Sequence, residues 1–229
     1  MKIKICGITT LQDALTAIEA GADILGFNFY PQSPRYIPPA SCASILRLLG
    51  DFKRLVTGVG VFVNSTVQEM TAILDETGLE LAQLSGDEMV ETVEALGGRG
   101  FKAMRLASNS GSNTKVVTQA SVKLIQEYAG SRKGEAPAFL LDSLVRGAYG
   151  GTGVVADWEQ AASLADQYPF LLAGGLTAEN IGEAVGKVRP WGVDVASGVE
   201  SIPGRKDESK IRQFIHNARM AEQRINDNR

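Results

Sequence analysis

Cys6 closes the strand-like run Lys2-Ile3-Lys4-Ile5-Cys6, and Asp142 closes a second one, Phe139-Leu140-Leu141-Asp142. A thiol and a carboxyl facing each other across a pocket can divide general-base and general-acid work between them. Each residue also has an ordinary reading. Free cysteine is often a small buried hydrophobe, and its reactive form requires a lowered pKa. An aspartate after an apolar run can cap a helix or steady a loop. Buried without a partner it is costly, so it belongs either in a pair or at a solvent-filled mouth. Residue type alone leaves both readings open.

The strongest ligand signal is for an anion. Ala173-Gly174-Gly175-Leu176-Thr177 and Val195-Ala196-Ser197-Gly198-Val199-Glu200 each follow an apolar run. Glycine-freed backbone N–H groups and a helix N-terminus suit a phosphate dianion. Gly-Gly is a simple turn in many proteins, but two such loops in register favour phosphate at Gly174, Gly175, Ser197 and Gly198. Neither loop has dinucleotide-fingerprint spacing, and the Gly147 to Gly153 stretch lacks the lysine of a P-loop. Arg35 stands in the proline-stiffened segment Ser33-Pro34-Arg35. It is either an ordinary surface arginine or a bidentate partner for a substrate carboxylate. His216, the sole histidine, falls in the last amphipathic segment, which weakens any histidine-based hydrolase or metal enzyme. Cys42 lies early in a helical stretch and reads as packing. No compact ligand motif marks a metal site, although carboxylate-held Mg²⁺ stays open.

Positioning these residues falls to an alternation of short apolar runs and longer amphipathic ones. Strands are expected at Lys2 to Cys6, Ile24 to Phe29, Arg54 to Val63, Leu81 to Leu84, Phe101 to Leu106, Phe139 to Leu141, Phe170 to Ala173 and Gly192 to Ala196. Helices are expected at Thr10 to Ala20, Ser41 to Leu49, Thr66 to Thr77, Glu88 to Leu96, Val116 to Tyr128, Trp158 to Asp166, Thr177 to Val188 and Glu208 to Glu222. Near-continuous apolar strands between helices indicate a parallel sheet with both faces covered. Eight units in 229 residues, with no Pro/Ser-rich linker, favour a single-domain α/β (β/α)₈ TIM barrel over residues 1–222. The alternative is an open Rossmann-like sheet with one element over-split. Residues 223–229 are polar and are expected to fray. In such a barrel the chemistry sits where strands end, which is where Cys6, Asp142 and the glycine loops fall.

Composition narrows the partners. Hydrophobic residues are 44% and charged residues 21%, as in a globular chain. The net charge of -3, from 23 basic and 26 acidic side chains, gives no general attraction to nucleic acid. No apolar run is long enough to span a bilayer. The opening residues lack a signal-peptide pattern, and two cysteines are too few for a disulfide framework. A cytoplasmic setting, with Cys6 kept as a thiol, is the expectation.

In order along the chain, the motifs Lys4-Ile5-Cys6-Gly7, Ser33-Pro34-Arg35-Tyr36, Gly60-Val61-Phe62-Val63-Asn64 and Gln83-Leu84-Ser85-Gly86-Asp87-Glu88 resemble the phosphoribosylanthranilate isomerase family. So do Phe139-Leu140-Leu141-Asp142-Ser143, Gly150-Gly151-Thr152-Gly153, Leu172-Ala173-Gly174-Gly175-Leu176, Asp194 to Glu200 and Pro203-Gly204-Arg205-Lys206-Asp207. The resemblance implies an Amadori rearrangement of N-(5-phosphoribosyl)anthranilate to 1-(2-carboxyphenylamino)-1-deoxyribulose 5-phosphate, a step of tryptophan biosynthesis. It implies Asp142 as the acid that opens the ribose ring and Cys6 as the base at C2. It implies Arg35 on the anthranilate carboxylate and the glycine loops with Ser197-Gly198 on the phosphate. Such chemistry moves protons within one small phosphorylated substrate and calls for no cofactor. Ser85 and Gly153 are candidates for substrate positioning. The family usually carries histidine where Ser85 stands, and serine supplies neither imidazole charge nor its reach. Altered positioning is therefore expected, with acid and base both retained. Indole-glycerol-phosphate synthase and the tryptophan synthase α subunit are the nearest enzyme alternatives, and a noncatalytic phosphometabolite sensor is the alternative of a different class. Monomer and homodimer stay equally open.

Overall fold

The computed structural model describes residues 1–105, 119–130, 136–142 and 158–227. Its elements alternate along the chain: β1 (Lys2–Cys6), α1 (Leu11–Ala20), β2 (Ile24–Asn28), α2 (Pro39–Leu48), β3 (Thr57–Phe62), α3 (Val67–Thr77), β4 (Leu81–Leu84) and α4 (Val90–Ala95). They continue with β5 (Gly100–Arg105), α5 (Gln119–Gly130), β6 (Phe139–Asp142), α6 (Trp158–Ala165), β7 (Leu171–Ala173), α7 (Ile181–Val188), β8 (Gly192–Val195) and α8 (Glu208–Asp227). The first eight strands pair in order and in parallel, and β8 pairs back onto β1, closing the barrel. Closure excludes the open-sheet alternative.

Local chemistry sets many of the boundaries. Thr10 caps α1 by accepting from the Asp13 backbone N–H at 3.1 Å, so the threonine stands just outside the helix expected to include it. Thr66 and Glu69 form a reciprocal capping box at the start of α3. The third strand begins later than its apolar run suggests, because Gly50–Leu55 forms a 3₁₀ helix before it. The seventh helix likewise starts at Ile181, after the Thr177 N–H has bonded the Asn180 side chain. The expected Leu106, the Val116 to Thr118 helix start and the Gly147 to Gly153 loop lie outside the described residues.

Two features depart from expectation. After β8 comes a 3₁₀ turn at Ser197–Val199, then an antiparallel hairpin of β9 (Glu200–Ile202) and β10 (Arg205–Lys206). The last helix also runs past Glu222 to Asp227, so most of the expected frayed tail is helical. Ile225 packs against the core and extends the stripe begun by Ala218 and Ala221 at helical spacing. No helix among the described residues is long and apolar enough to cross a membrane.

Strand alternation divides the apolar side chains into two zones. Ile3, Ile5, Leu25, Phe27, Phe139 and Leu141 face outward to the helices. Ile24, Val59, Phe101, Leu140 and Leu171 fill the barrel interior. That inner zone is not wholly apolar. Lys4, Gln83 and Asp194 are buried within the ring, each on a different strand.

Candidate active site

At the C-terminal ends of the strands, Ser85, Asp142, Gly174, Gly175 and Ser197 line one cavity of about 240 Å³. Five of the nine residues expected at the site therefore meet around a single space. Gly174 and Gly175 both have positive φ, at 97° and 65°, a conformation that a side chain makes unfavourable. The Asn180 side chain donates to the Gly175 carbonyl and accepts from the Thr177 N–H, which fixes this loop. Gly198 is placed differently. A β-carbon there would lie 1.9 Å from the Leu176 carbonyl oxygen, so its role is to let the β8 loop pack on the β7 loop. Gly153 lies outside the described residues.

A second cavity, of about 810 Å³, opens on the β2–β5 side and is lined by Asn28, Tyr30, Asn64, Lys102 and Tyr128 among others. The two share Ser85, Ala103 and Met104. Ser85 thus stands where they meet. Behind it, Glu88 accepts from the Asn64 and Gly86 N–H groups and from Lys102 Nζ, the last at 2.6 Å. This buried ion pair ties the loops after β3 and β4 to β5.

Cys6 ends β1 as expected but is only 8% exposed and lies outside the lining of both cavities. Ile5 pairs with Val195, which sets Cys6 beside Ala196 in the first cavity's wall. On its other side Cys6 pairs with Gly26. Two residues before it, on the same strand face, Lys4 is fully buried. Lys4 Nζ donates to Asp194 Oδ1 at 2.8 Å and to Gln83 Oε1 at 2.9 Å, and Gln83 Nε2 donates to Ser85 Oγ at 3.1 Å. One polar chain therefore crosses the barrel from β8 through β1 to β4. Burial works against the Lys4 charge, but Asp194 and Cys6 outweigh it and hold the ammonium above its usual pKa. Burial pushes the Cys6 thiol up, Asp194 adds to that push, and Lys4 and Lys206 oppose it, leaving it raised.

Arg35 is held by the hairpin. Its Nε and Nη2 donate to the two carboxylate oxygens of Glu200 at 2.7 and 2.6 Å. Lys206 Nζ donates to Glu200 Oε1 at 3.0 Å and to the Ala196 carbonyl at 2.9 Å. Burial opposes the Glu200 charge, yet the hydrogen bonds from Arg35 and Lys206 prevail and hold its pKa below the usual value. Lys206 is also held below its usual pKa, by burial first and by the nearby Arg35 charge, against the opposing pull of Glu200. Two Nη1 hydrogens and one on Nη2 remain on the guanidinium beyond those given to Glu200. That outer edge matches a second carboxylate.

Asp142 and Cys6 stand three strands apart around the ring. Cys42 is fully buried in α2, its thiol pushed up to about 12 by burial, which fits a packing residue. His216 is exposed on α8, away from the strand ends. Residue types at strand ends did not reveal Lys4, Gln83, Asp194, Glu200, Lys206 or the Glu88–Lys102 pair as working groups. One signal was present: strand alternation puts Lys4 on the same face as Cys6.

The family model described as N-(5′phosphoribosyl)anthranilate (PRA) isomerase matches residues 3–217. The N-(5′-phosphoribosyl)anthranilate isomerase of Pelobacter propionicus is 43% identical over 219 residues, covering 96% of each chain. That of Geotalea uraniireducens is 44% identical over 218 residues, covering 95% of this chain and 98% of its own. Among solved structures, the phosphoribosyl anthranilate isomerase of Thermotoga maritima aligns with a TM-score of 0.80 at 36% identity, over 96% of this chain and 99% of that one. A structure of such an isomerase in complex with reduced 1-(o-carboxyphenylamino)-1-deoxyribulose 5-phosphate aligns at 0.78 and 34% identity, over 96% and 99%.

Proposed function

The chain belongs to the N-(5′-phosphoribosyl)anthranilate isomerase family, enzymes of tryptophan biosynthesis, and we propose that Asp142 and Cys6 share the proton transfers of its Amadori rearrangement. The observation that carries this reading is the cavity in which Asp142 faces Gly174, Gly175 and Ser197 within a chain matched along nearly its whole length. A phosphate held by the β7 and β8 loops fixes one end of the substrate. Arg35, steadied by Glu200, offers its outer edge to the anthranilate carboxylate at the other. Fixing both ends removes much of the entropic cost of bringing acid and base to the ribose.

Asp142, as the carboxylic acid, gives its proton to the ring oxygen. The bond between that oxygen and C1 breaks, and the anilino nitrogen shares its electron pair to form an iminium. Cys6, as thiolate, removes the proton on C2, and the resulting electron pair forms an enolamine. Tautomerisation places a proton on C1 and removes the one on the C2 hydroxyl, giving the ketone. The protons lost from C2 and its hydroxyl thus balance those gained by C1 and the ring oxygen, and both side chains return to their starting forms. The substrate is one small phosphorylated sugar derivative, and a cytoplasmic enzyme acting as monomer or homodimer fits this reading.

The test follows loss of N-(5′-phosphoribosyl)anthranilate by fluorescence, with identification of the product, using purified protein without added metal or nucleotide. Turnover is expected. Cys6→Ala and Asp142→Asn should each reduce kcat by at least ~100-fold, the lower range for a lost acid or base. A folded protein that leaves the substrate unchanged would overturn the assignment, and a Cys6→Ala variant with unaltered kcat would remove that residue's role.

A further inference from the structure

We propose that Lys4 is a positioning residue for catalysis: clamped by Asp194 and Gln83, it serves as the fixed counter-charge that supports the thiolate form of Cys6. This rests on the reading of Cys6 as the proton acceptor and adds the group that makes it one. Lys4 lies two residues before Cys6 on the same strand, fully buried, and lines neither cavity. Both side chains lie against Gly26, where an added β-carbon would stand 2.9 Å from Cys6 Sγ and 3.2 Å from Lys4 Cε. A charge that borders the base without lining either cavity can act on the reaction through that base.

A lysine ammonium in a barrel interior is costly unless its partners are fixed. Here Asp194 and Gln83 hold two of its three hydrogens from opposite directions, on β8 and β4. The clamp keeps Lys4 protonated, with its pKa raised despite burial. The charged groups that bear on Cys6 come from every side: Lys4 on its own strand, Asp194 on β8, Lys206 on β10 and Arg35 from the loop after β2. Lys206 and Arg35 are both committed to Glu200, and Lys206 has its pKa lowered by burial. Lys4 is the cation among them whose charge opposes the upward push on the thiol most strongly. Burial, with Asp194 adding to it, still leaves the thiol raised in the free enzyme. Removing Lys4 leaves burial and Asp194 acting on Cys6 with less to oppose them.

The experiment measures the midpoint of Cys6 ionisation in the full-length protein. Iodoacetamide alkylation of the Cys6 peptide is followed against pH, with the ultraviolet thiolate band taken as a difference from Cys6→Ala. Cys42, pushed up to about 12, stays silent over the working range. Lys4→Met should move the midpoint upward by about one pH unit or more, so that alkylation at a fixed pH below it slows by about tenfold. Lys4→Arg, which keeps a cation, should recover most of the shift. The acidic limb of kcat/KM should move with the midpoint, kcat falling while KM holds.

Lys4→Met leaves Asp194 buried without its partner, so Lys4→Met/Asp194→Leu is made beside it, replacing the ion pair by apolar groups. The Lys4 charge bears on Cys6 more strongly than that of Asp194, so the midpoint should still rise, by less. A midpoint unchanged or lowered in the folded variants would overturn the proposal. The thiol titration needs no turnover. An active wild type with an unmoved midpoint therefore sinks the Lys4 role alone, whereas a moved midpoint in an inactive wild type sinks the isomerase reading and leaves Lys4 only as the counter-charge to the thiol.

Discussion

Gly26 pairs with Cys6 across the β1–β2 ladder, and nothing larger fits there. A β-carbon on it would lie 2.9 Å from Cys6 Sγ and 3.1 Å from Cys6 Cα, closer than side-chain carbons ordinarily approach. Gly26→Ala should therefore displace the thiol from its place over Lys4 while the strand persists. The expected stability loss is about 1–3 kcal/mol, as for overpacking elsewhere, read from urea midpoints. Turnover should suffer more, with kcat reduced and KM little changed; a wild-type kcat would show that the thiol tolerates displacement. Individual residues were unequally legible in the sequence. Cys6 and Asp142 stood out because each ends an apolar strand with a group able to move a proton. Lys4 did not, because a lysine alternating with isoleucines reads as the solvent face of a strand. Its partner Asp194 is 190 residues away, and barrel closure alone brings the two together. Ser85 was visible as a departure from the family. What was not visible is that Gln83 joins it to Lys4, so a change at Ser85 bears on the same chain that passes beside Cys6.

The hairpin of β9 and β10 acts as a clasp on the β2 loop. Glu200 is 6% exposed and holds Arg35 and Lys206 at once, and the Thr9 hydroxyl adds a bond to the hairpin turn at the Gly204 carbonyl. Removing one partner of a buried charged set leaves the others uncompensated. Glu200→Gln keeps the shape and an acceptor, so a cost of about 2–3 kcal/mol, below the full range for such losses, is expected at neutral pH. The pH dependence has a definite sign. The Glu200 pKa is depressed in the folded protein, so its stabilisation is complete above the unfolded value of about 4.3 and is lost as pH falls through the lower folded value. Urea midpoints of wild type and variant should accordingly converge in acid; a gap that stays constant would separate Glu200 from that transition. If Arg35 takes the anthranilate carboxylate, the variant should also raise KM. This element escaped sequence reading because two strands of three and two residues leave no periodicity to detect. The eight barrel strands and their helices were legible for the opposite reason, since apolar runs buried on both faces announce themselves. Their ends were less so: the 3₁₀ helix Gly50–Leu55 and the turn before α7 are set by hydrogen bonds, which hydrophobic patterning does not report.

Parallel strands give the whole molecule two unlike ends, and its polar contacts divide accordingly. The ends of β4, β6, β7 and β8 carry the cavity with Asp142. The opposite end carries the seam between the first and last units, sealed by α8, which buries Ile211, Phe214, Ile215, Ala218 and Ala221. At that seam Arg219 donates to the Met1 carbonyl at 2.7 Å, the Gly21 carbonyl at 3.1 Å and Asp23 Oδ2 at 2.7 Å. Asp23 in turn accepts from the Ile3 N–H at 2.8 Å, so one arginine ties the last helix to β1 and to the turn before β2. Hydrogen bonds to charged groups contribute about 1.5–3 kcal/mol when well buried, but the Arg219 side chain is 37% exposed, which weakens its ion pair. Arg219→Ala should therefore destabilise by about 1–2 kcal/mol, a visible fall in urea midpoint. Turnover below that midpoint should be unaffected, because this face of a barrel serves stability and the other serves chemistry. The informative comparison is with Gly26→Ala, expected to cost a similar amount of stability from the other end of the molecule. Equal loss of midpoint with unequal loss of kcat is the outcome that a division between the two faces requires. Equal loss of both would mean that destabilisation anywhere in the ring reaches the site.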